Sequence, residues 1–218
     1  MGFWATTAWG VAALAFSGVL HALAVVVLLE AASPSLEASA LAAASVGSIG
    51  GAAAVVLLCR LHGRLSLRGD LAMRLPTATA LLAWLAANMA LYALNEIVGR
   101  LLHPDWASTG PPLPPVGTMV AYAVMFLLAA PLFEEILFRG FLHSGWSRSR
   151  LGVPGTILLT SALWTALHLP TSALGLTGFF VQGLLLGLAR HYSGSLYVPL
   201  AMHFASNLAI RLHTWLPG

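Results

Sequence analysis

The run GTMVAYAVMFLLAAPLFEEILFRGFLHSG, residues 117–145, is apolar over more than the roughly 20 residues that cross a bilayer, yet it holds two carboxylates and an arginine. Within the hydrocarbon core only helices or closed barrels satisfy the backbone, and the Ala, Leu and Val content selects a helix. Working outward, comparable runs between polar breaks lie at 3–31, 39–59, 76–99, 153–168, 174–190 and 196–214. The expected fold is therefore all-α: a polytopic transmembrane helix bundle of about seven spans, with an eighth span or a re-entrant segment as the alternative. The fourth span, 117–145, is long enough to tilt, kink at Pro131 or split.

Composition agrees. Of 218 residues, 59% are hydrophobic and 8% charged, against about a quarter charged in a soluble domain, which excludes an ordinary water-soluble globule. The chain has no lysine, and its ten basic residues are arginines, most of them scattered through the loops, so the net +3 makes no basic face for nucleic acid. A lone Cys59 excludes an intrachain disulfide and a CxxC pair, and reads as a small apolar filler. The first thirty residues lack a basic n-region, and their apolar stretch exceeds the ~7–15 residues of a signal core, so a retained span is expected rather than a cleaved leader. With no low-complexity tail, soluble appendage or internal repeat, residues 1–218 read as a single integral membrane domain. The Pro-rich stretch Gly110 to Pro115 reads as an external connector.

Loop arginines orient the chain. Arg60, Arg64, Arg68 and Arg74 follow span two, Arg148 and Arg150 span four, and Arg190 span six; in a seven-span chain these loops share one side, and Arg100, Arg211, Glu30, Glu37 and Asp105 fall on the other. The arginine-rich side is expected to be cytoplasmic, with the N-terminus in and the C-terminus out. Gly47 and Gly51, and Gly183 and Gly187, stand at GxxxG spacing and predict close helix packing. Trp4, Trp106, Trp146 and Trp215 fall near span ends, where interfacial rings are expected.

Ionisable groups within spans cost about 2.5–3.5 kcal/mol each on insertion scales and so call for a function. Three places stand out: Pro131-Leu-Phe-Glu134-Glu135-Ile-Leu-Phe-Arg139, Trp164-Thr-Ala-Leu-His168, and His203-Phe-Ala-Ser-Asn207. Residues four apart share a helix face, so Glu135 pairs with Arg139 as a structural ion pair, while Glu134 points about 100° away toward a polar cavity. His143 extends the Glu135 and Arg139 stripe by four more residues. His203 and Asn207 likewise present an imidazole and an amide together. At about 1.5 Å per residue from the cytoplasmic loops, Glu134 lies about 21 Å deep, His168 about 25 Å and His203 about 15 Å, all in the middle or outer layer. A carboxylate and histidines around one water provide a base, and donors for an oxyanion, as amide hydrolysis requires. Asn88, Asn95 and Glu96 in span three either line this cavity or hydrogen-bond between helices.

These motifs, EExxxR at Glu134, Glu135 and Arg139, an aromatic-xxx-His at Trp164 and His168, and HxxxN at His203 and Asn207, resemble the CAAX protease and bacteriocin-processing (CPBP, or Abi) family of intramembrane endopeptidases. That family includes the Ras-converting-type CAAX prenyl proteases. The resemblance covers roughly 117–214, the motif-bearing core, with Trp164 standing where the family usually has Phe. It implies that Glu134 and His168 activate water, His203 and Asn207 hold the oxyanion, and Glu135, Arg139 and Trp164 support the site. Family members are discussed as metalloproteases and as metal-independent glutamate-type enzymes. Glu134, His168 and His203 are an O/N set for a divalent metal such as zinc with an open position, yet no HExxH is present, so both a metal and none stay open.

The resemblance implies a membrane-embedded or lipid-anchored protein or peptide as substrate. The lysine-free, Ala-, Leu- and Arg-rich composition points to a high-GC bacterium and its inner membrane, where relatives process bacteriocins, confer immunity or trim C-terminal sorting tails; the last is the expectation adopted. Two other readings compete: a small proton-coupled transporter relaying protons through buried Glu and His, and a non-catalytic immunity or peptide-binding membrane protein.

Overall fold

The computed structural model describes residues 2–30, 35–61, 65–102, 113–169 and 172–215, and the expectations for Arg64, Asp105, Trp106 and the start of the Gly110 to Pro115 connector lie outside these. Among the described residues it is all-helical: α1 (Phe3–Glu30), α2 (Leu36–Leu61), α3 (Ala78–Leu102), α4 (Val116–Trp146), α5 (Gly152–Leu167), α6 (Ala173–Ser193) and α7 (Tyr197–Trp215). Helix ends fall within about three residues of the expected spans. Helices stand at all seven places where spans are expected. Five helices, α1, α2, α3, α4 and α6, are long and apolar enough to cross a membrane. Helix α5 has 16 residues, about 24 Å of rise against a core of about 30 Å, and α7 is made more polar by His203, Asn207, Arg211 and His213.

Helix α4 is the hub, packing against α1, α2, α5, α6 and α7. It is continuous through Pro131 but not uniform. Residues Ala123–Ala129 and Glu135–Leu142 are π-helical, and the five α-helical residues Ala130–Glu134 between them contain the proline. The wider turn accommodates Pro131, which has no N–H to give the preceding turn. Every residue from Glu135 to Leu142 is buried, and Phe133, Leu137, Phe138 and Phe141 join Val55, Cys59, Leu71, Trp146, Trp164 and Leu196 in one core. Cys59 is thus the buried filler expected. Leu and Val side chains of α1 and α3, such as Leu23, Val27, Leu82 and Leu94, face outward, where lipid would lie.

The glycine spacings are helix contacts inside the chain. Gly47 lies against the Ser17 carbonyl and His21 of α1, Gly51 against Ser17 and Phe133, Gly183 against Ser161, and Gly187 against Ile157. Trp146 departs from its expected interfacial place. It is buried, its ring 5.4 Å from that of Phe3 and its indole N–H donating to Thr7 Oγ1 at 3.1 Å. Trp4, by contrast, is exposed.

The loops after α2, α4 and α6 meet at one end of the bundle. Arg148 pairs with Asp70, Arg74 Nε donates to the Gly194 carbonyl at 2.5 Å, and Leu196 N–H donates to the Ala72 carbonyl at 2.9 Å. Gly194 closes α6 at φ 61°, a left-handed conformation that glycine adopts without strain, and the Arg74 side chain fills the space a Cβ would need.

Candidate active site

Three helices deliver the site. Glu134 ends the α-helical turn that follows Pro131 on α4, His168 caps the C-terminus of α5, and His203 sits within α7. They converge on a cavity of about 860 Å3 that Asn207, Gln182 and Ser206 also line. Glu134 Oε2 lies 4.0 Å from Nε2 of His168 and 4.0 Å from Nε2 of His203. Those separations exceed a direct hydrogen bond and suit a bridging water.

Fixed acceptors assign the imidazole faces. His168 Nδ1 is 2.8 Å from the Trp164 carbonyl, which can only accept, so Nδ1 carries the proton and Nε2 of the neutral ring presents a lone pair to the cavity. The His168 ring is held between Trp164 and Phe179, at centroid distances of 4.3 and 4.5 Å. His203 Nδ1 is 2.9 Å from Glu135 Oε1, so this nitrogen is likewise the donor and Nε2 faces Glu134.

Behind His203 lies a buried ionic chain. Arg139 Nη1 is 3.1 Å from the same Oε1 of Glu135, with the two side chains 1% and 0% exposed, and Arg139 Nη2 donates to the Gly183 carbonyl at 3.1 Å. The guanidinium also stands 5.1 Å from the Trp164 ring. The expected Glu135 and Arg139 pair is present, and it extends to His203, which the helical spacing did not indicate.

Glu134 points away from that pair, as its angular offset predicts, and accepts the indole N–H of Trp164 on Oε2. Trp164, which stands where the resembled family usually has Phe, is thus also a donor to the carboxylate. Asn207 is brought to the cavity, but its Nδ2 donates to the Phe126 carbonyl at 2.6 Å. His143 is buried beside His191, with ring centroids 6.3 Å apart.

A second polar cluster was only half visible in the sequence. Asn88 is fully buried and donates to the Met202 carbonyl at 3.0 Å and to Ser206 Oγ at 2.9 Å, while Gln182 Nε2 donates to Asn88 Oδ1 at 2.8 Å. Asn88 is therefore an interhelical tie, whereas Asn95 and Glu96 line the cavity. Gln182 has no helical-spacing partner among the three motifs, and this left it unread.

Among the described residues no group of three or more His, Cys, Asp or Glu side chains is placed to hold a metal ion. The Glu134 oxygen nearest both imidazoles is already engaged by the Trp164 indole. The zinc set Glu134, His168 and His203 does not fit as it stands.

Fold and site together define a polytopic helical membrane protein with a cavity in which a carboxylate and two imidazoles from the C-terminal half face one another. Residues 116–209 match the family model described as type II CAAX prenyl endopeptidase Rce1-like. The resemblance read from the motifs thus holds over the stretch that carries them, and this stretch is similar to CAAX-type intramembrane proteases in general. No curated protein and no solved structure matches the chain.

Proposed function

We propose that the chain is an intramembrane endopeptidase of the glutamate type that hydrolyses a peptide bond in a membrane-embedded or lipid-anchored substrate. The observation that carries this reading is the position of Glu134 Oε2, 4.0 Å from two imidazole Nε2 atoms in one cavity. A water among these three atoms gives a proton to Glu134 as its oxygen attacks the carbonyl carbon, while His168 Nε2 accepts its second O–H and aligns it. The tetrahedral oxyanion is held by His203 and Asn207. Because His203 Nδ1–H is used on Glu135, donation from Nε2 requires the imidazolium, which the Glu135 carboxylate faces. The protonated Glu134 then returns its proton to the leaving amine, and the C–N bond breaks.

Glu135 and Arg139 hold His203, and Trp164 holds Glu134. One membrane domain, N-terminus in and C-terminus out in a bacterial inner membrane, is the arrangement this reading adopts; the meeting of the arginine-bearing loops at one end supports it. C-terminal sorting tails are the preferred substrates. In proteoliposomes, an internally quenched, lipid-anchored peptide should be cut by the wild type and spared by Glu134→Ala and His168→Ala, both folded. Full activity in either variant removes the assignment, and pH-driven flux without cleavage makes the chain a carrier. Comparing C-termini of membrane-anchored proteins by mass spectrometry with and without the enzyme tests the substrate preference, which unchanged ends would end.

A further inference from the structure

In the π-helical stretch of α4, N–H groups bond to carbonyls five residues back, as Ala130 N–H does to the Met125 carbonyl. The next donor in that register is residue 131 and its acceptor is the Phe126 carbonyl. Residue 131 is proline, which has no N–H. The donor one position earlier, Ala130, is already bonded to Met125. The Phe126 carbonyl is thus left without a main-chain donor in that register, beside the cavity that Phe126 lines, and within a membrane protein an unmet acceptor is costly.

Asn207 Nδ2 reaches that carbonyl from α7 at 2.6 Å. A carbonyl accepts only, so the amide nitrogen must face it, and this settles which way the Asn207 amide is turned. One N–H is spent on Phe126. The second N–H and Oδ1 remain on a side chain that lines the same cavity as Glu134 and His203.

We propose that Pro131 is a positioning residue for Asn207: by withholding its N–H it leaves the Phe126 carbonyl to the Asn207 amide, which is thereby aimed with its free N–H at the reacting carbonyl oxygen. This rests on the reading of the cavity as a hydrolytic site. An alanine in place of the proline supplies the missing N–H, which competes for Phe126 and releases the amide.

The test is a double-mutant cycle on the full chain in detergent, with Pro131→Ala, Asn207→Ala and the double variant followed by thermal unfolding. Asn207→Ala should lower Tm by about 2–4 °C with Pro131 present and by about half that or less in the Pro131→Ala background. Equal shifts in both backgrounds overturn the proposal. Asn207→Asp keeps the shape and loses both donors, so it should fall at least as far as Asn207→Ala, and wild-type stability in it also overturns the proposal. Against the quenched lipid-anchored peptide, Pro131→Ala should lose about tenfold in kcat with KM unchanged and add nothing to the loss of Asn207→Ala; independent, multiplying losses overturn it. The unfolding cycle needs no turnover, so an inactive wild type would sink the hydrolase reading while the cycle still decides the role of Pro131.

Discussion

The indole N–H of Trp164 on α5 donates to Oε2 of Glu134 on α4, the same oxygen that lies 4.0 Å from both imidazoles. A phenylalanine at this position would keep the ring against His168 and Phe179 and lose only the donor. Hydrogen bonds to charged groups contribute about 1.5–3 kcal/mol, and each 1.36 kcal/mol is tenfold in rate. Trp164→Phe should therefore lower kcat by about 10- to 100-fold with an unchanged circular dichroism spectrum; undiminished turnover would reduce Trp164 to a packing ring.

Removing Arg139 leaves Glu135 buried without its cation and the Gly183 carbonyl without its donor. Breaking a buried pair in this way costs about 3–5 kcal/mol. Arg139→Leu should be strongly destabilised in detergent, and Arg139→Leu with Glu135→Leu less so, because no lone charge then stays inside. Thermal unfolding of both variants checks the order, which reverses if the pair is merely incidental.

Asp70 lies in the loop between α2 and α3, outside the spans. Burial raises its carboxyl, but the Ser66 N–H and the Arg148 and Ser144 side chains outweigh this and bring it below its ordinary value of 3.8. An acid whose folded value is depressed stabilises the fold above its unfolded value, and that contribution is lost as pH falls through the folded one. Asp70→Asn should accordingly unfold earlier than wild type at pH 7, with the gap closing below about pH 4. A gap that persists at low pH would remove the carboxylate from the account.

A Cβ at position 47 would stand 2.7 Å from the Ser17 carbonyl oxygen and 2.9 Å from His21 Cβ. Main-chain oxygen cannot swing aside, so α1 must move off α2. Gly47→Ala should cost about 1–3 kcal/mol in unfolding measurements; a neutral effect would mean that α1 is held elsewhere.

Chelators offer a separate check on the donor set. With Glu134 Oε2 occupied by the Trp164 indole and no three-ligand group among the described residues, EDTA and phenanthroline should leave cleavage of the quenched peptide unchanged. Inhibition reversed by added zinc would restore Glu134, His168 and His203 as ligands.

The spans were legible because hydropathy alone marks lipid-facing helices, and the divergence of Glu134 and Glu135 was legible because adjacent helical residues differ by about 100°. The π-helical turns of α4 were not, since i→i+5 bonding leaves no compositional trace. Trp146 sits at a helix end, yet position along the chain says nothing about Thr7, which draws it inward. The reach of Glu135 to His203 joins residues 68 positions apart, a relation that spacing within one helix cannot report. Asn207 lines the cavity, and its bond to Phe126 depends on which carbonyl a proline frees, which no spacing reports.

The widened turns of α4 also set the phase of everything beyond them. Closing the turns between 123 and 129 to ordinary pitch with every residue kept would spin the following segment by about 100° about its axis, moving each side chain to its neighbour's azimuth. Glu134 would then swing toward the bearing Glu135 now holds, and Arg139 would leave its pocket. The width of the coil ahead of Pro131 is what decides which of two chemically identical neighbours opens on the cavity and which braces the helices.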